Sequence, residues 1–363
     1  MTGPAPGVTG PVLVVGAGLL GTSIGLALRR QGLEVLLRDV NPQNLTIATG
    51  VGAGVDAEAT TVPAPVQLVV VAVPPDHLAD QIVGALESHE GVVTDVGSVK
   101  EAPLRAVAQR VTSADLARYV GSHPMAGSER SGPFAASSAL FDGRPWAVTP
   151  HEAADPAAVE LVTGLARACG ATPVALSPAD HDAAVARISH LPHLLAALVA
   201  GRLADAPASH LALSGQGVRD VTRIAAGDPG LWQQIVAGNA EAVGELLGAV
   251  RSDLDELLDA VRAGDRDRVA ALLERGVAGT AAIPGKHGGP AQPTAAVYVT
   301  VPDHPGELAR LLADAGEIGV NVEDLHIDHD PGRPVGLVEL TVAADRADFL
   351  KTSLEARGWT SHR

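Results

Sequence analysis

The patterned part of the chain begins with four consecutive apolar residues, Val12-Leu-Val-Val15, and a glycine-rich turn. An apolar run this short, with no polar position inside it, predicts a strand buried on both faces. Similar runs recur at residues 33–38, 66–73, 91–95 and 118–122, with 146–149 and 172–176 as later strands of the same layer. Helical stretches separate them. Short apolar strands alternating with helices imply a parallel sheet covered on both faces. After Pro178 the texture changes: residues 179–280 are rich in Ala and Leu, 194–203 and 242–261 are the clearest helices, and the second carries apolar residues at three- and four-residue spacing. A Pro/Gly-rich stretch at 283–294 reads as a linker. Beyond it a strand (296–301), a helix (306–319), two strands (321–327 and 335–342) and a last helix (344–357) make a small α+β unit. The expected organisation is a flexible tail at 1–10, an α/β domain at 11–178, an all-helical domain at 179–282, the linker, and an α+β domain at 295–363.

Composition sharpens this picture in three places. Aromatic residues are only 2% of the chain against 46% hydrophobic, so the cores must be built from Ala, Val, Leu and Ile. The net charge of −16 argues against a nucleic-acid surface and against anionic membranes, because both require a basic footprint. An anionic substrate would therefore need Arg and His concentrated locally. Cys169 stands alone, which leaves no disulfide framework and no Cys-rich metal site. The first ten residues lack the basic start and apolar run of a signal peptide, and the run at 66–73 is too short to span a bilayer, so a cytoplasmic protein is expected.

Candidate chemistry falls in three groups. Gly16-x-Gly18-x-x-Gly21 follows the first strand and opens a helix, the context in which such glycines let a pyrophosphate approach a helix N-terminus. Asp39, at the end of the second strand, would accept from ribose hydroxyls and repel a 2′-phosphate, which favours NAD over NADP; the alternative is a solvated strand-end carboxylate. The second group is Asp95-Val-Gly-Ser98-Val-Lys100 with Gly121-Ser-His123-Pro-Met-Ala-Gly127-Ser-Glu129, both placed after strands at the carboxyl edge of the sheet. There His123 is either a base that takes a hydroxyl proton as hydride leaves, with Ser98 orienting it or reaching the nicotinamide, or a turn histidine capped by Ser122. The third group lies on helices: His181-Asp182, Ser189-His190-Leu-Pro-His193 and Arg219-Asp220-Val-Thr-Arg223. Arg223 could clamp a carboxylate or serve in a structural ion pair. Histidines three apart could suggest a metal, but no carboxylate repeats at ligand spacing, so none is expected.

Together with Ala72-Val-Pro74, Asp228-Pro229 and Trp232, these stretches resemble the prephenate/arogenate dehydrogenase family from Val12 to about Arg262. The resemblance implies a Rossmann-type N-terminal domain, a helical dimerisation domain and hence a homodimer. It implies NAD bound by Gly16, Gly18, Leu19, Leu20, Gly21, Asp39, Val73, Pro74 and Ser98. It implies His123 and Ser98 as the catalytic pair, and Arg223, His193, Ser189, Glu129 and Asp220 on the substrate side, the substrate being prephenate or arogenate. The C-terminal stretch resembles an ACT domain through Asp303-His-Pro-Gly306-Glu-Leu308 and Gly319-Val-Asn321-Val322. That likeness implies Asp303, Gly306 and Asn321 as regulatory positions with tyrosine as the effector, or a domain that only stabilises the dimer. A 3-hydroxyacid dehydrogenase would be expected to place a catalytic Lys in the helical domain, and residues 179–280 hold none. A sensor that binds NAD and an amino acid without turnover is the non-enzymatic alternative.

Overall fold

The computed structural model describes residues 7–60, 65–126, 132–283, 293–329 and 335–363. Residues up to Arg251 form one compact unit, and Ser252–Arg363 form a second.

In the first unit, the chain runs β1 (Val12–Val15), α1 (Leu19–Arg30), β2 (Val35–Arg38), α2 (Pro42–Gly50), β3 (Val55–Asp56), β4 (Leu68–Val71), α3 (Pro75–Ser88) and β5 (Val92–Asp95). It continues with α4 (Glu101–Ala108), α5 (Ser113–Ala117), β6 (Tyr119–Pro124), β7 (Pro145–Thr149), α6 (Pro156–Ala168) and β8 (Thr172–Ala175). The strand order is β3-β2-β1-β4-β5-β6-β7-β8, which contains the doubly wound 3-2-1-4-5-6 arrangement. Strict alternation inside the apolar runs feeds two cores. Val12, Val14, Leu68 and Val70 pack with Ile24 and Leu28 of α1 and Leu165 of α6, while Leu13, Val15, Val69 and Val71 pack with Leu78 and Ile82 of α3. Both faces are thus dry, as uninterrupted apolar strands require.

Two expectations need correction. The sheet is mixed: β7 runs antiparallel to β6, and β8 runs parallel to β7 at the outer edge. Apolar content reports that a strand is buried and carries no information about its direction. Nor are residues 7–10 a loose tail. The Gln67 side chain accepts from the backbone N–H of Thr9 (2.8 Å) and Gly10 (2.9 Å) and donates to Gly7 O (2.7 Å), and Val8 is buried in the first core.

The helical part comprises α7 (Pro178–Val185), α8 (Leu191–Gly201), α9 (Ala208–Leu211), α10 (Gln216–Arg223), α11 (Pro229–Gly238) and α12 (Ala240–Ala263), followed by α13 (Arg266–Ala281). By length and composition the stretch Pro178–Gly201 is apolar enough to cross a membrane. Its buried Asp182 is instead hydrogen-bonded to the N-terminus of α4, which seats it against the sheet domain.

The C-terminal part of the second unit has β9 (Thr294–Pro302), α14 (Glu307–Glu317), β10 (Val322–His329), β11 (Val335–Ala343), α15 (Ala347–Ala356) and β12 (Thr360–His362). The order β10-β11-β9-β12, antiparallel throughout, is the ferredoxin-like βαββαβ arrangement. The three-residue β12, which pairs with β9, has no apolar run to announce it. Val297, Val299, Leu340 and Val342 pack under Leu311, Leu350 and Leu354, and Trp359 closes the end with its indole N–H on Asp314 (2.7 Å). The expected linker overlaps residues 284–292, which lie outside the described residues, and the chain is already in β9 by Thr294.

Leu165 is fully buried against the sheet. Leu165→Ala should cost about 2–5 kcal/mol through lost burial and a cavity, read as an earlier midpoint in urea unfolding.

Candidate active site

The glycine turn after β1 is shaped by close approach. A Cβ on Gly16 would lie 2.3 Å from Ala72 O, and one on Gly21 would lie 1.9 Å from Gly16 O, while one on Gly18 would meet nothing within 4 Å. Gly16 also has φ +102°, a left-handed conformation suited to glycine. The tight pair Gly16/Gly21 therefore folds the turn, and Gly18 keeps open space in front of it. No side chain caps α1, and its first turn holds no acid, so the N–H groups of Leu19, Leu20 and Gly21 are available to an anion. Asp39 is held at the turn: its carboxylate accepts from the N–H of Ala17 (2.6 Å) and of Asn41 (2.7 Å). Val73 and Pro74 follow β4 on the same edge, with the Val73 side chain 3.3 Å from where a Gly16 Cβ would stand. These residues fit a dinucleotide pyrophosphate and its adjoining ribose.

Beside this cradle, β6 carries His123 to the same edge. Its Nδ1 lies 3.0 Å from Nε2 of His181 in α7, and Nδ1 of His181 lies 2.8 Å from Oδ1 of Asp182. The donor roles follow from the chain of partners. A carboxylate only accepts, so His181 Nδ1 carries a hydrogen, and in the neutral ring its Nε2 is the acceptor. His123 Nδ1 then donates, which leaves a lone pair on His123 Nε2. Burial first, then His181, Lys100 and His190, hold His123 well below the usual 6.5, so the ring stays neutral. Among the described residues no hydrogen bond reaches His123 Nε2, and a neutral imidazole with that lone pair open is suited to act as a general base.

Asp182 has further duties. Its Oδ1 accepts from the N–H of Lys100 (2.8 Å) and its Oδ2 from that of Glu101 (2.9 Å), so a residue of α7 caps the N-terminus of α4. Beneath His123 lies a dry cluster. The Lys100 ammonium pairs with Asp95 and donates to Ser122 O (2.8 Å), and Tyr119 donates to the other oxygen of Asp95 (2.8 Å). Ser122 donates to Asp95 O (2.8 Å), so it is not the cap of the His123 ring. A buried ion pair this fully hydrogen-bonded fixes the backbone on either side of it: the loop at Gly97 and Ser98, and the strand end at His123.

On the helical side, His193 stacks on Trp232 (centroids 3.5 Å apart, planes at 9°), and the missing side chain of Gly227 gives them room. Arg223 stands exposed at the end of α10. Asn239 donates to Asp182 O (2.8 Å) and meets His190 Nδ1 at 3.3 Å. Burial lowers His190 to about 4.

The structure thus brings the glycine turn, Asp39, Val73, Ser98 and His123 to one sheet edge, with His181 and Asp182 packed against it. Among the described residues no hydrogen bond joins Ser98 to His123; the partner on that ring is His181. Ser189 sits half-buried between α7 and α8. Asp220 accepts from Gln216 within α10 (2.8 Å). Glu129 lies outside the described residues. In the second unit, Asp303 and Gly306 lie before α14, where Gly306 has φ +94°, and Asn321 lies beyond the helix's other end, about 16 Å away along an eleven-residue helix. One chain does not bring those three together. His181, Asp182 and Lys100 lie within the sequence motifs, but no local pattern assigns them a role. Tyr119 and Asn239 left no local signal, because their partners are 24 and 57 residues away.

A doubly wound sheet with an open glycine turn, and a neutral histidine base at its edge under a helical domain, defines an NAD-dependent dehydrogenase. The chain belongs to the prephenate dehydrogenase family. The family's nucleotide-binding domain matches residues 24–175 and its dimerization domain matches residues 177–275. A probable prephenate dehydrogenase, NovF, of Streptomyces niveus is 38% identical over 96% of this chain and 99% of its own. The structure of prephenate dehydrogenase from A. aeolicus in complex with hydroxyphenyl propionate and NAD+ is 27% identical with a TM-score of 0.65, covering 74% of this chain and 96% of that one. Synechocystis arogenate dehydrogenase is 25% identical with a TM-score of 0.63, covering 74% and 98%.

Because the His123 base is depressed from 6.5, the acid limb of log(kcat/KM) against pH should fall below pH 6.5. Above that pH the ring is already neutral, so activity should not rise further through this group. A limb centred above 6.5 would mean that the ring is not held as its surroundings require.

Proposed function

We propose that this protein catalyses the NAD-dependent oxidative decarboxylation of prephenate to 4-hydroxyphenylpyruvate, the committed chemistry of tyrosine formation. The observation that carries the reading is the Asp182–His181–His123 chain, which stands on the same sheet edge as the open glycine turn in a member of this family. NAD, bound in the cradle of Gly16, Gly18, Leu19, Leu20, Gly21, Asp39, Val73, Pro74 and Ser98, supplies the hydride acceptor. His123 takes the proton of the ring hydroxyl through Nε2 as the carbon beneath it loses hydride. The ring carboxylate then leaves as carbon dioxide, its bonding electrons making the ring aromatic and ending on the oxygen. That oxygen recovers the proton from His123, which restores the neutral base. His181 and Asp182 steady the imidazolium while it exists, and the apolar surroundings favour its return.

Arg223 holds a substrate carboxylate, with His193, Ser189, Asp220 and Glu129 around it and Ser98 between base and cofactor. The exposed apolar side chains of the helices, Leu198, Leu213 and Leu231 among them, suit a homodimer in the cytoplasm. The ferredoxin-like C-terminal sheet reads as an ACT-like unit for tyrosine, in which Gly306 of one copy and Asn321 of another would meet. Arogenate is the second substrate reading, because the Synechocystis neighbour named for it matches the fold nearly as well as the prephenate enzyme.

The deciding assay follows NADH absorbance with prephenate and arogenate offered separately; reduction with one identifies the substrate, and silence with both rejects the reading. His123→Asn should lower kcat by about 10²–10⁴-fold with NAD affinity unchanged, measured by steady-state rates and cofactor titration. Arg223→Ala should raise KM by about 10–100-fold, the worth of one charge-assisted bond, with a much smaller change in kcat. An unchanged KM would make Arg223 structural.

A further inference from the structure

The helix bearing the histidine motif changes its winding in the middle. Between α7 and α8, Ala186–His190 form one wide turn in which the N–H of Leu191 donates to Ala186 O, five residues back instead of four. The sequence supplies a cause two residues later. Pro192 has no N–H, and in a regular helix its ring would press on the carbonyl of Ile188, four residues earlier. A wide turn relieves that conflict by taking up one extra residue. Pro192 is itself exposed, so it fills no core.

The consequence is angular. In a regular helix His190 would stand about 180° around the axis from His181, and His193 about 120°. One extra residue in the wide turn rotates everything after it back by about 90–100°. That places His193 within about 30° of His181 and brings His190 into line with Asp182. The contacts agree: the single amide of Asn239 reaches both Asp182 O and His190 Nδ1. His181, Asp182, His190 and His193 are all buried, while Arg187 and Ile188, inside the turn, are exposed.

We infer that Pro192 and the wide turn it enforces are a positioning device, which sets His190 and His193 in register with the His123–His181–Asp182 chain so that one helix serves both base and substrate. Regular winding would leave α7 seated on α4 and swing the later histidines away from the cleft. The inference rests on the reaction proposed above.

Two variants test it, each compared with the wild type on the substrate the wild type uses. Pro192→Ala permits regular winding, and deletion of the exposed Ile188 removes the extra residue outright. Both should lower kcat/KM at least tenfold, mainly through KM, and weaken binding of 4-hydroxyphenylpyruvate by calorimetry in parallel. NAD affinity should stay within twofold, and the Tm of Pro192→Ala should equal or exceed that of the wild type. A proline serving only stability would give the opposite pattern, with Tm, NAD affinity and activity falling together, and that result overturns the inference. So would two folded variants that keep kcat/KM within twofold of an active wild type. A wild type silent on both substrates removes the proposed reaction itself and this inference with it.

Discussion

The carboxylate of Asp182 is the joint of this enzyme. It stands on a helix of one domain, accepts two backbone N–H groups from the first turn of α4 in the other, and accepts the hydrogen of His181 that fixes the base. Helix seating, domain docking and tautomer choice are therefore one interaction. A carboxylate can carry all three because it accepts only, and because α4 offers it the unpaired N–H groups that any helix N-terminus must satisfy. Removing it would leave those donors without partners and free the His181 ring to turn.

Under that joint the Asp95–Lys100–Tyr119 cluster shows how a dry sheet end tolerates charge. Asp95 is enclosed by an ammonium, a phenol and the N–H of Gly97, and Lys100 spends a second hydrogen bond on Ser122 O, the residue before the base. A buried pair of this kind gives little net stability over an apolar replacement, but it rigidifies the backbone it touches. Here it touches both loops that frame the reacting position. Lys100 also donates its own N–H to Asp182, so this cluster and the His123–His181–Asp182 chain share one residue.

The glycine cradle and the helical side are built by different means. The cradle depends on the backbone: glycines whose side chains would collide with carbonyls, and a helix end left without a cap. The helical side depends on side chains of several helices meeting around Trp232, with His193 stacked on its face and His190 set edge-on at 6.1 Å. Backbone geometry of the first kind is robust to the sequence around it. The second kind depends on the rotation of each helix about its axis, and the wide turn at Ala186–His190 changes that rotation partway along one of them.

The sequence by itself determined the buried strands, the helical middle, the glycine turn and the acidic strand end, because each depends on neighbours within a few residues. It also singled out His123, which the structure sets at the sheet edge against His181. Only the tertiary structure decided the reversed direction of β7, the docking of Gly7–Gly10 on Gln67, and the pairing of β12. It alone showed that His123 leans on His181 in place of Ser98, and that Asp182 and Asn239 hold the two sides together. Strand direction and partner choice are settled by contacts between residues tens of positions apart, and no local pattern of apolar and polar side chains records which distant groups will share a hydrogen bond.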